Sequence, residues 1–413
     1  MADESDDKRA DSPEKSNEMT SLEENRPSRI MPVGRKSFPR SEDQNIAMEL
    51  ILAWFKRRGD HRMFVLGGYA GTGKTVLISD LIEELKNRYE IAVGAFTGKA
   101  VSVLRSKGID IAMTLHRMLY DRKKDTNGRK IWIPKIRVPY RLIIVDEASM
   151  VSRELKKILD ALDVKVLYVG DPAQLEPIGE DPRIMHTPNF MMTDIRRQAE
   201  GNPIIRLTGE IREGRADLQN GFWTGKDGAG SLRIVDSTAE LDLRDYGMII
   251  SGYNSTRHRY NAEKRRLLGF SGDLQVGENV ICLRNEKNVD IFNGLILQVE
   301  SVEDAGDHYL CDLNEEIDGT RYGVEVDKQF FGYDYRSNEH RGELRMDATP
   351  FDWANAASCH KFQGSEERDV LGIEEVLKGE HKRWLYTMIT RSSMNITIVR
   401  HRSRARNAGL LVA

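Results

Sequence analysis

An eight-residue segment between a strand-like run and a helix-like run constrains the fold of this chain more than any other feature. Residues 68–75 read GYAGTGKT and match the pattern G-x-x-x-x-G-K-[ST]. The preceding run RMFVLGG is apolar, and the following run TVLISDLIEELKNR has apolar residues at helical spacing. Glycines in such a loop let backbone N–H groups approach phosphate oxygens, and the next helix adds positive potential at its N-terminus. The sequence therefore predicts a nucleotide phosphate loop in an α/β domain.

Individual residues of this loop have expected roles. Lys74 is expected to reach the β- and γ-phosphates of the nucleotide, and the Thr75 hydroxyl to ligate Mg²⁺. Gly71, Thr72 and Gly73 complete the cradle around the phosphates. The loop therefore predicts a nucleotide bound together with Mg²⁺.

Two further predicted strands end in polar residues. The run YRLIIVDE ends in Asp146 and Glu147, and the run KVLYVGD is followed by Gln174. In a parallel sheet these ends meet at the edge where ligands bind. Asp146 is expected to hold the Mg²⁺ shell, and Glu147 to polarise the attacking water. Gln174 either contacts the γ-phosphate or the water, or is a buried structural glutamine.

Two arginines outside the loop domain are candidates for a catalytic role. Arg391 lies in LYTMITRSSMN, in a segment that is either helix or strand, and Arg197 lies in DIRRQAEGNPIIRL. The transferring phosphoryl group gains charge during hydrolysis, and an arginine from a second domain can stabilise it. Two such arginines predict that the nucleotide binds between domains, so hydrolysis can open and close a cleft. That arrangement is typical of a motor.

The rest of the chain divides by composition and periodicity. Residues 1–38 are polar and predict a disordered tail. A helix is expected to begin after Ser41, its N-cap, with Ile46, Leu50 and Trp54 on one apolar stripe. Strand–helix alternation then predicts a parallel sheet covered by helices, and short β-type runs later in the chain predict an antiparallel module. The predicted domains are 39–191 with a small insertion at about 117–139, then 192–270 with 350–413, and 271–349 as the inserted module.

Composition excludes several classes of protein. The chain is 39% hydrophobic and 31% charged, and no apolar run approaches the length of a membrane helix. The N-terminus has no secretory signal, and the three cysteines lack the spacing of a zinc site or disulfide framework. A cytoplasmic protein is therefore expected. The net charge of −3 does not exclude a basic groove for nucleic acid.

Eight segments in order resemble the successive motifs of superfamily 1 DNA helicases of the RecD-like/Dda branch, over about residues 38–400. They are GGYAGTGKT, AFTGKAVSVL, TLHRMLY, IIVDEASM, VGDPAQLEP, DIRRQ, SCHKFQGSE and LYTMITR. The resemblance implies two RecA-like P-loop NTPase domains with a small SH3-like β-barrel insertion in the second. The segments VGENVICLRN and IFNGLILQV resemble that insertion. The activity it implies is ATP-driven 5′-to-3′ translocation on single-stranded DNA with unwinding of duplex.

The resemblance also assigns roles to individual residues. Gln44 would recognise the adenine of ATP, while Gly364 and Glu366 would lie near the nucleotide and couple it to the DNA. The hydrolysis site would contain Lys74, Thr75, Asp146, Glu147, Gln174, Arg197 and Arg391. The residues lining the strand would be Thr97, Lys99 and His116 in the first domain, and Ser358, His360 and Lys361 in the second. Hydroxyls, imidazoles and amines grip phosphates without reading sequence, as translocation requires.

Several aromatic residues leave alternatives open. Phe96 and Phe362 depart from the family pattern, and each either stacks on a base or belongs to the core. Residues 121–139 suggest a hairpin turning at Asn127-Gly128, in which Trp132 is either a strand-separating wedge or packs the hairpin base. His116 and His360, taken alone, are more typical of buried core histidines.

The leading hypothesis is a DNA helicase acting on single-stranded DNA and on single-strand/duplex junctions in replication, recombination or repair. The alternative is a DNA-stimulated ATPase subunit, or a protein that recruits partners to a larger complex. Single-strand-binding or replication proteins are expected partners. Both halves of the ATP site lie in one chain, so a monomer suffices, in the cytoplasm of a bacterial cell or a phage-infected host.

Overall fold

The structure is a computed structural model, and it describes residues 39–59, 61–124, 130–177, 181–195, 201–283, 291, 294–315, 321–332, 348–375 and 379–400. The predicted tail at 1–38, Arg197 and the predicted turn at Asn127-Gly128 lie outside the described residues. No helix among the described residues combines the length and apolar character needed to cross a bilayer.

A six-stranded parallel sheet forms the first half of the chain and confirms the predicted α/β fold. Its strand order is β3-β2-β6-β7-β1-β8. The strands are β1 (Met63–Gly68), β2 (Ile91–Ala95), β3 (Ala112–Thr114), β6 (Leu142–Val145), β7 (Lys165–Gly170) and β8 (Phe190–Met192). Alternate residues of β6 pack into separate buried clusters on the two faces, Ile144 on one and Ile143 on the other. Both faces are covered, which explains why these strands read as continuous apolar runs.

Within the described residues, five α-helices accompany this sheet. They are α1 (Glu42–Lys56), α2 (Lys74–Leu85), α3 (Gly98–Ser106), α4 (Leu115–Leu119) and α5 (Arg153–Ala161). Ser41 caps α1 in a capping box with Gln44, as predicted. The predicted apolar stripe is wrong at two positions, because Ile46 and Leu50 are exposed while Trp54 is buried. The buried face of α1 instead follows Gln44, Ala47, Met48, Ile51, Trp54 and Phe55.

A two-stranded hairpin projects from the first half at the predicted insertion. It pairs β4 (Tyr120–Lys124) with β5 (Lys130–Pro134) in antiparallel register, with Arg122 opposite Trp132. The Trp132 ring meets the Tyr120 ring edge-on, with 6.2 Å between centroids. Trp132 therefore packs within the hairpin, in agreement with the packing alternative.

The second half contains another six-stranded sheet, in the order β17-β11-β18-β19-β10-β9. All neighbours pair in parallel except the edge strand β9, which runs antiparallel to β10. The strands are β9 (Gly221–Thr224), β10 (Ser231–Val235), β11 (Met248–Ser251), β17 (Ala356–Ser358), β18 (Glu367–Ile373) and β19 (Ser392–Val399). The accompanying helices are α6 (Pro203–Glu213), α7 (Asn254–Leu267) and α8 (His381–Ile389). Arg391 lies between α8 and β19.

A five-stranded antiparallel sheet is inserted between α7 and β17, and we call it the β module. Its order is β15-β14-β13-β12-β16. The strands are β12 (Asn279–Cys282), β13 (Ile296–Asp304), β14 (His308–Asn314), β15 (Arg321–Asp327) and β16 (Phe351–Trp353). Thr349, just before β16, bridges to Val326 of β15, so the two edges of the sheet are linked. Since β16 belongs to this sheet, the β module extends past the predicted boundary at residue 349.

Two buried ion pairs fix the β module to α7. Arg257 donates to Asp352 of β16 at 2.6 Å, and both side chains are at most 2% exposed. Arg265 pairs with both oxygens of Glu278, one at 2.9 Å, and its guanidinium lies 4.1 Å from the Trp353 ring centroid. A buried carboxylate needs such a partner, because leaving it alone out of water is costly. The β module is therefore held to the second half as one unit.

The second of these ion pairs yields a stability prediction. Arg265→Ala should lower the free energy of unfolding by about 3–5 kcal/mol, because Glu278 would remain buried without its cation. Denaturant titration of the full chain, followed by tryptophan fluorescence, measures the change. Arg266→Ala is the matched control, since its side chain is the exposed neighbour on the same helix and should shift stability by less than about 0.5 kcal/mol. Equal unfolding midpoints for the two variants would contradict the assignment.

Candidate nucleotide site and nucleic-acid interface

The phosphate loop connects β1 to α2 with a backbone that requires glycine. Gly71 and Gly73 have φ values of 84° and 82°, in the left-handed region that side chains disfavour. Lys74 begins α2, and its Nζ donates to the carbonyls of Gly68 at 2.7 Å and Tyr69 at 3.1 Å. The lysine amine is thus folded over the mouth of the loop, where a nucleotide phosphate would compete for it.

Gln44 ties the start of α1 to this loop. Its side chain is fully buried, with Oε1 accepting from the Ser41 N–H at 3.0 Å. Its Nε2 donates to the Gly73 carbonyl at 3.2 Å and to the Thr72 carbonyl at 3.4 Å. The amide is therefore directed at the phosphate loop, and its role toward adenine stays a prediction.

The carboxylates predicted from the run YRLIIVDE follow directly after β6. Asp146 is half-buried, and burial followed by the nearby Glu147 charge raises its pKa to about 7. Glu147 has a left-handed backbone, with φ of 50°, and its Oε2 is buried with no hydrogen-bond partner among the described residues. Hard oxygen ligands crowded in this way gain most from a nearby cation. The pair therefore fits Mg²⁺, with the Thr75 hydroxyl as the predicted further ligand.

Arg391 of the second half reaches the carboxylates of the first. Its Nη1 lies 3.8 Å from Glu147 Oε1, and the side chain is 2% exposed. Within the second half, its Nε donates to the Thr387 carbonyl and its Nη1 to the Ser365 carbonyl, each at 3.2 Å. These bonds hold the guanidinium in place at the boundary between the halves. The structure thus brings together Arg391 and Glu147, although its catalytic role stays a prediction.

Helix α8 makes further contacts with the first half that the sequence analysis missed. The Tyr386 hydroxyl donates to Asp171 Oδ2 at 2.6 Å and accepts from the Ala70 N–H of the phosphate loop at 3.1 Å. The Thr387 Oγ1 accepts from the Leu175 N–H at 2.9 Å. The available signal was the position of both residues in LYTMITR, just before Arg391.

Gln174 lies in the loop after β7 and is 5% exposed. Its Oε1 has no hydrogen-bond partner among the described residues, and it lines a cavity of about 220 Å³. Charged residues line the same cavity: His186 Nε2 lies 3.1 Å from Asp181 and 3.3 Å from Glu176. Arg383 of α8 also pairs with Glu176, and this hydrogen bond lowers the pKa of that carboxyl. Sensing of the γ-phosphate by Gln174 stays a prediction.

Gly364 and Glu366, the predicted coupling residues, lie against Met150 and against the end of α3. Gly364 has φ of 75°, and a Cβ there would lie 2.8 Å from Met150 Sδ, so glycine is needed for this approach. Glu366 Oε2 lies 3.5 Å from Lys107 Nζ, just beyond the end of α3. Both residues therefore lie at the boundary between the halves.

The predicted strand contacts of the first half lie around α3 and α4. Thr97 is buried and caps α3, accepting from the Ala100 N–H at 3.1 Å. Lys99 Nζ lies 2.9 Å from Glu367 Oε2 of the second half. The His116 ring stacks on Tyr120 with 5.8 Å between centroids. Their contacts with a strand stay predictions.

The predicted contacts of the second half follow β17. Ser358 closes this strand, and burial lowers the pKa of His360 below its usual value. Burial, together with the Arg257 charge, lowers the pKa of Lys361 to about 8. The structure places these three side chains, all half-buried, in one short segment.

Phe96 and Phe362, the two aromatic residues that depart from the family pattern, have different surroundings. Phe362 is fully buried, in agreement with the core alternative, and Lys99 Nζ lies 5.0 Å from its ring centroid. Phe96 is partly buried, packs against a core cluster and meets the His116 ring edge-on at 6.1 Å.

Two family models match the chain. Residues 41–229 match the AAA domain, and residues 354–399 match the UvrD-like helicase C-terminal domain. The ATP-dependent RecD2 DNA helicase of Deinococcus radiodurans is 27% identical over 85% of this chain, which spans half of that protein's length. The RecBCD subunit RecD of Mycolicibacterium smegmatis is 24% identical, over 83% of this chain and 69% of that protein.

Solved structures share the fold. The crystal structure of Bacteroides Pif1 bound to single-stranded DNA has a TM-score of 0.52 at 18% identity, covering 91% of this chain and 97% of that chain. A second Bacteroides Pif1 structure, with ADP-AlF3 and single-stranded DNA, has a TM-score of 0.50 over the same shares.

The parallel sheet and the phosphate loop fit a RecA-like P-loop NTPase. In sequence the chain is similar to the RecD-type helicases, and it shares its fold with the Pif1 structures.

The contact between Arg391 and Glu147 yields a prediction for catalysis. Arg391→Ala should lower kcat for ATP hydrolysis by about 10³-fold or more, because the charge of the transferring phosphoryl group would lose its stabilising cation. The KM for ATP should change by no more than a few-fold, because the phosphate loop still binds the nucleotide. Steady-state ATPase assays separate the two constants.

Arg391→Lys is the control for folding, since it keeps the charge but not the paired donors of guanidinium. It should leave the melting temperature near that of the wild type and still lose most of kcat. A rise in KM at unchanged kcat would instead make Arg391 a ground-state binding residue.

Proposed function

We propose that this protein is an ATP-dependent DNA helicase that translocates 5′ to 3′ on single-stranded DNA and unwinds duplex. The observation that carries the proposal is the 3.8 Å approach of Arg391 to Glu147, from opposite halves of the chain. An ATPase completed only when two halves meet converts hydrolysis into relative motion. The RecD2 relative is named an ATP-dependent DNA helicase, and the Pif1 structures hold single-stranded DNA, which supports this activity.

In the proposed mechanism, ATP binds to the phosphate loop, with Gln44 against the adenine and Lys74 against the β- and γ-phosphates. Mg²⁺, held by Thr75 and Asp146, would neutralise charge on the phosphate oxygens. Glu147 polarises the attacking water, and Arg391, with Arg197, stabilises the charge that develops on the γ-phosphoryl group. Gln174 senses whether that group is present.

Motion is proposed to follow from the contacts that α8 makes with the first half. While ATP is bound, α8 stays against the phosphate loop and the loop after β7, so the cleft is closed. Loss of the γ-phosphate removes the attraction between Arg391 and the site, and the cleft opens. The strand contacts are proposed to be Thr97, Lys99 and His116 on one half, and Ser358, His360 and Lys361 on the other. Alternate grip by the two halves then moves the strand, with Gly364 and Glu366 coupling it to the nucleotide.

We assign the β module as the SH3-like insertion of this family. Its five antiparallel strands and the bridge from Thr349 to Val326 support the assignment. The proposed domains are 39–191, with a small insertion at about 117–139 that contains the hairpin, then 192–270 together with the chain that follows β16, and the inserted module from 271 through β16. We propose that a monomer suffices, because one chain supplies both sides of the ATP site. The proposed location is the cytoplasm.

A second candidate function is a DNA-stimulated ATPase subunit of a larger repair or replication complex. The observation that favours it is the similarity to the RecBCD enzyme subunit RecD, which is 24% identical over 83% of this chain. The same ATP chemistry would then serve a motor whose unwinding needs further protein parts.

The test is ATP-dependent unwinding of two partial duplexes, one with a 5′ single-stranded tail and one with a 3′ tail. ATPase is followed in the same tubes, and Lys74→Ala is the inactive control, because it removes the amine that reaches the phosphates. We expect unwinding of the 5′-tailed substrate alone, with hydrolysis stimulated by DNA and no turnover by Lys74→Ala.

Any other result would change the function assigned to this protein. DNA-stimulated hydrolysis without unwinding would favour the subunit of a larger complex. Unwinding of the 3′-tailed substrate would reverse the polarity. Hydrolysis that DNA does not stimulate would contradict the helicase.

A further inference from the structure

The hydroxyl of Tyr386 joins three elements, which are α8, the phosphate loop and the loop after β7. Tyr386 is 1% exposed on α8 of the second half. Its hydroxyl lies between the Ala70 N–H in the phosphate loop, at 3.1 Å, and Asp171 Oδ2 after β7, at 2.6 Å. One oxygen atom therefore links the second half to two catalytic loops of the first.

The direction of these hydrogen bonds is fixed by chemistry. A backbone N–H can only donate and an ionised carboxylate can only accept, so the hydroxyl must accept from Ala70 and donate to Asp171. Burial and the Asp171 charge raise the pKa of Tyr386 well above its ordinary value, which keeps the donating proton in place. The other oxygen of Asp171 accepts from the Ala173 N–H at 2.9 Å, so the carboxylate is held from both sides.

Tyr386 and Arg391 belong to one rigid segment. The Arg391 Nε donates to the Thr387 carbonyl at 3.2 Å, which fixes the guanidinium to the last turn of α8. A second contact holds the same part of the loop, since the Arg212 guanidinium of α6 lies 3.7 Å from the Tyr69 ring centroid. The position of α8 against the phosphate loop therefore sets the position of Arg391.

We propose that Tyr386 is a positioning residue for ATP hydrolysis, whose hydroxyl aligns α8 with the phosphate loop so that Arg391 reaches the reacting phosphoryl group. The proposal rests on the ATPase activity proposed above. It assigns Tyr386 no contact with the nucleotide, so its loss affects closure of the cleft rather than ATP binding.

The experiment compares Tyr386→Phe with Tyr246→Phe in DNA-stimulated ATPase assays on the full chain. Tyr246 is the matched control, because its half-buried hydroxyl also donates one hydrogen bond in the second half, to Thr397 Oγ1 at 3.0 Å. Tyr386→Phe should lower kcat about tenfold and change the KM for ATP by less than about twofold, as expected for loss of one buried hydrogen bond made in the closed state. Tyr246→Phe should keep both constants near those of the wild type.

Asp171→Asn completes a double-mutant cycle. If Tyr386 acts through Asp171, the double variant should lose little more kcat than Tyr386→Phe alone. Equal kcat values for Tyr386→Phe and Tyr246→Phe would overturn the proposal. A rise in KM with unchanged kcat would also overturn it, since the hydroxyl would then bind the nucleotide. A wild-type protein without DNA-stimulated hydrolysis would instead refute the proposed function.

A separate observation concerns α3, which contains the predicted nucleic-acid contact Lys99 and is capped by another, Thr97. Three carboxylates from outside the first half lie against it: Glu315 of the β module at Gly98, Glu367 at Lys99, and Glu366 at Lys107. A helix N-terminus has positive potential, and the two lysines add charge. The first half therefore offers here the groups that a phosphate backbone needs, and carboxylates hold them.

Glu315 lies next to Gly98, the first residue of α3. Its side chain is 7% exposed, and a Cβ built on Gly98 would lie 2.5 Å from its Oε1, so a larger residue at Gly98 would displace the carboxylate. The Tyr322 hydroxyl donates to the other oxygen, Oε2, at 3.3 Å. The carboxylate is thus oriented within the β module toward the first residue of α3.

We infer that Glu315 is an autoinhibitory group that holds the phosphate position at the N-terminus of α3 until a single strand displaces it. The inference rests on the proposed binding of single-stranded DNA. A phosphate of the strand must displace the Glu315 carboxylate from this site. Strand binding is therefore weakened by the free energy of the contact between Glu315 and α3.

The test measures binding of a fluorescein-labelled oligo-dT to the full chain by anisotropy, without nucleotide. Glu315→Gln keeps the size of the side chain and should lower Kd about fivefold or more. Glu303→Gln, at an exposed position of the same module, changes the net charge equally and should leave Kd within about twofold of the wild type.

The outcomes separate this inference from the proposed function. Equal Kd values for the two variants, or weaker binding by Glu315→Gln, would overturn the autoinhibitory role. Binding by Glu315→Gln but not by the wild type would support it strongly. Absence of binding by the wild type and by both variants would refute DNA as the ligand, and the inference with it.

Discussion

The approach of Arg391 to Glu147 is the interaction on which the rest of this structure depends. A guanidinium and a carboxylate, both largely removed from water, come from halves of the chain that share no sheet. Charges buried in this way are stable only while they are paired or neutralised. The cleft is therefore stable when it is closed with Arg391 and Glu147 paired, or when it is open with both groups hydrated. Intermediate positions, in which the charges are neither paired nor hydrated, are disfavoured. A nucleotide that supplies or removes negative charge shifts this balance directly.

Helix α8 concentrates the communication between the halves in two turns of backbone. Tyr386 contacts the phosphate loop, Thr387 contacts the loop after β7, and Arg391, two residues beyond the helix, lies 3.8 Å from Glu147. A short helix transmits displacement without bending, so these contacts form and break together. On the other side of the cleft, carboxylates of the second half and of the β module lie along α3, which carries the proposed strand contact Lys99.

Local patterns predicted the parallel sheet, the phosphate loop and the cap of α1, because each depends on neighbouring residues. The stripe on α1 was partly wrong, since periodicity marks Ile46 and Leu50 as apolar but does not say which of two adjacent faces meets the core. Tyr386 was missed because its partner Ala70 is 316 positions away. Glu315 was missed for the same reason, as a lone acidic residue after a strand has no local feature that indicates a distant helix.

The two arginines on α7 have a mechanical consequence. Arg257 and Arg265 lie two turns apart on α7 and hold two neighbouring strands of the β module, β16 and the start of β12. A module held at one point could rotate about that point, and the second ion pair prevents this rotation. Any rotation that withdraws α8 from the phosphate loop therefore also carries Glu315 away from Gly98. Under the proposed function, ATP hydrolysis and release of the single strand are therefore coupled through one rigid unit.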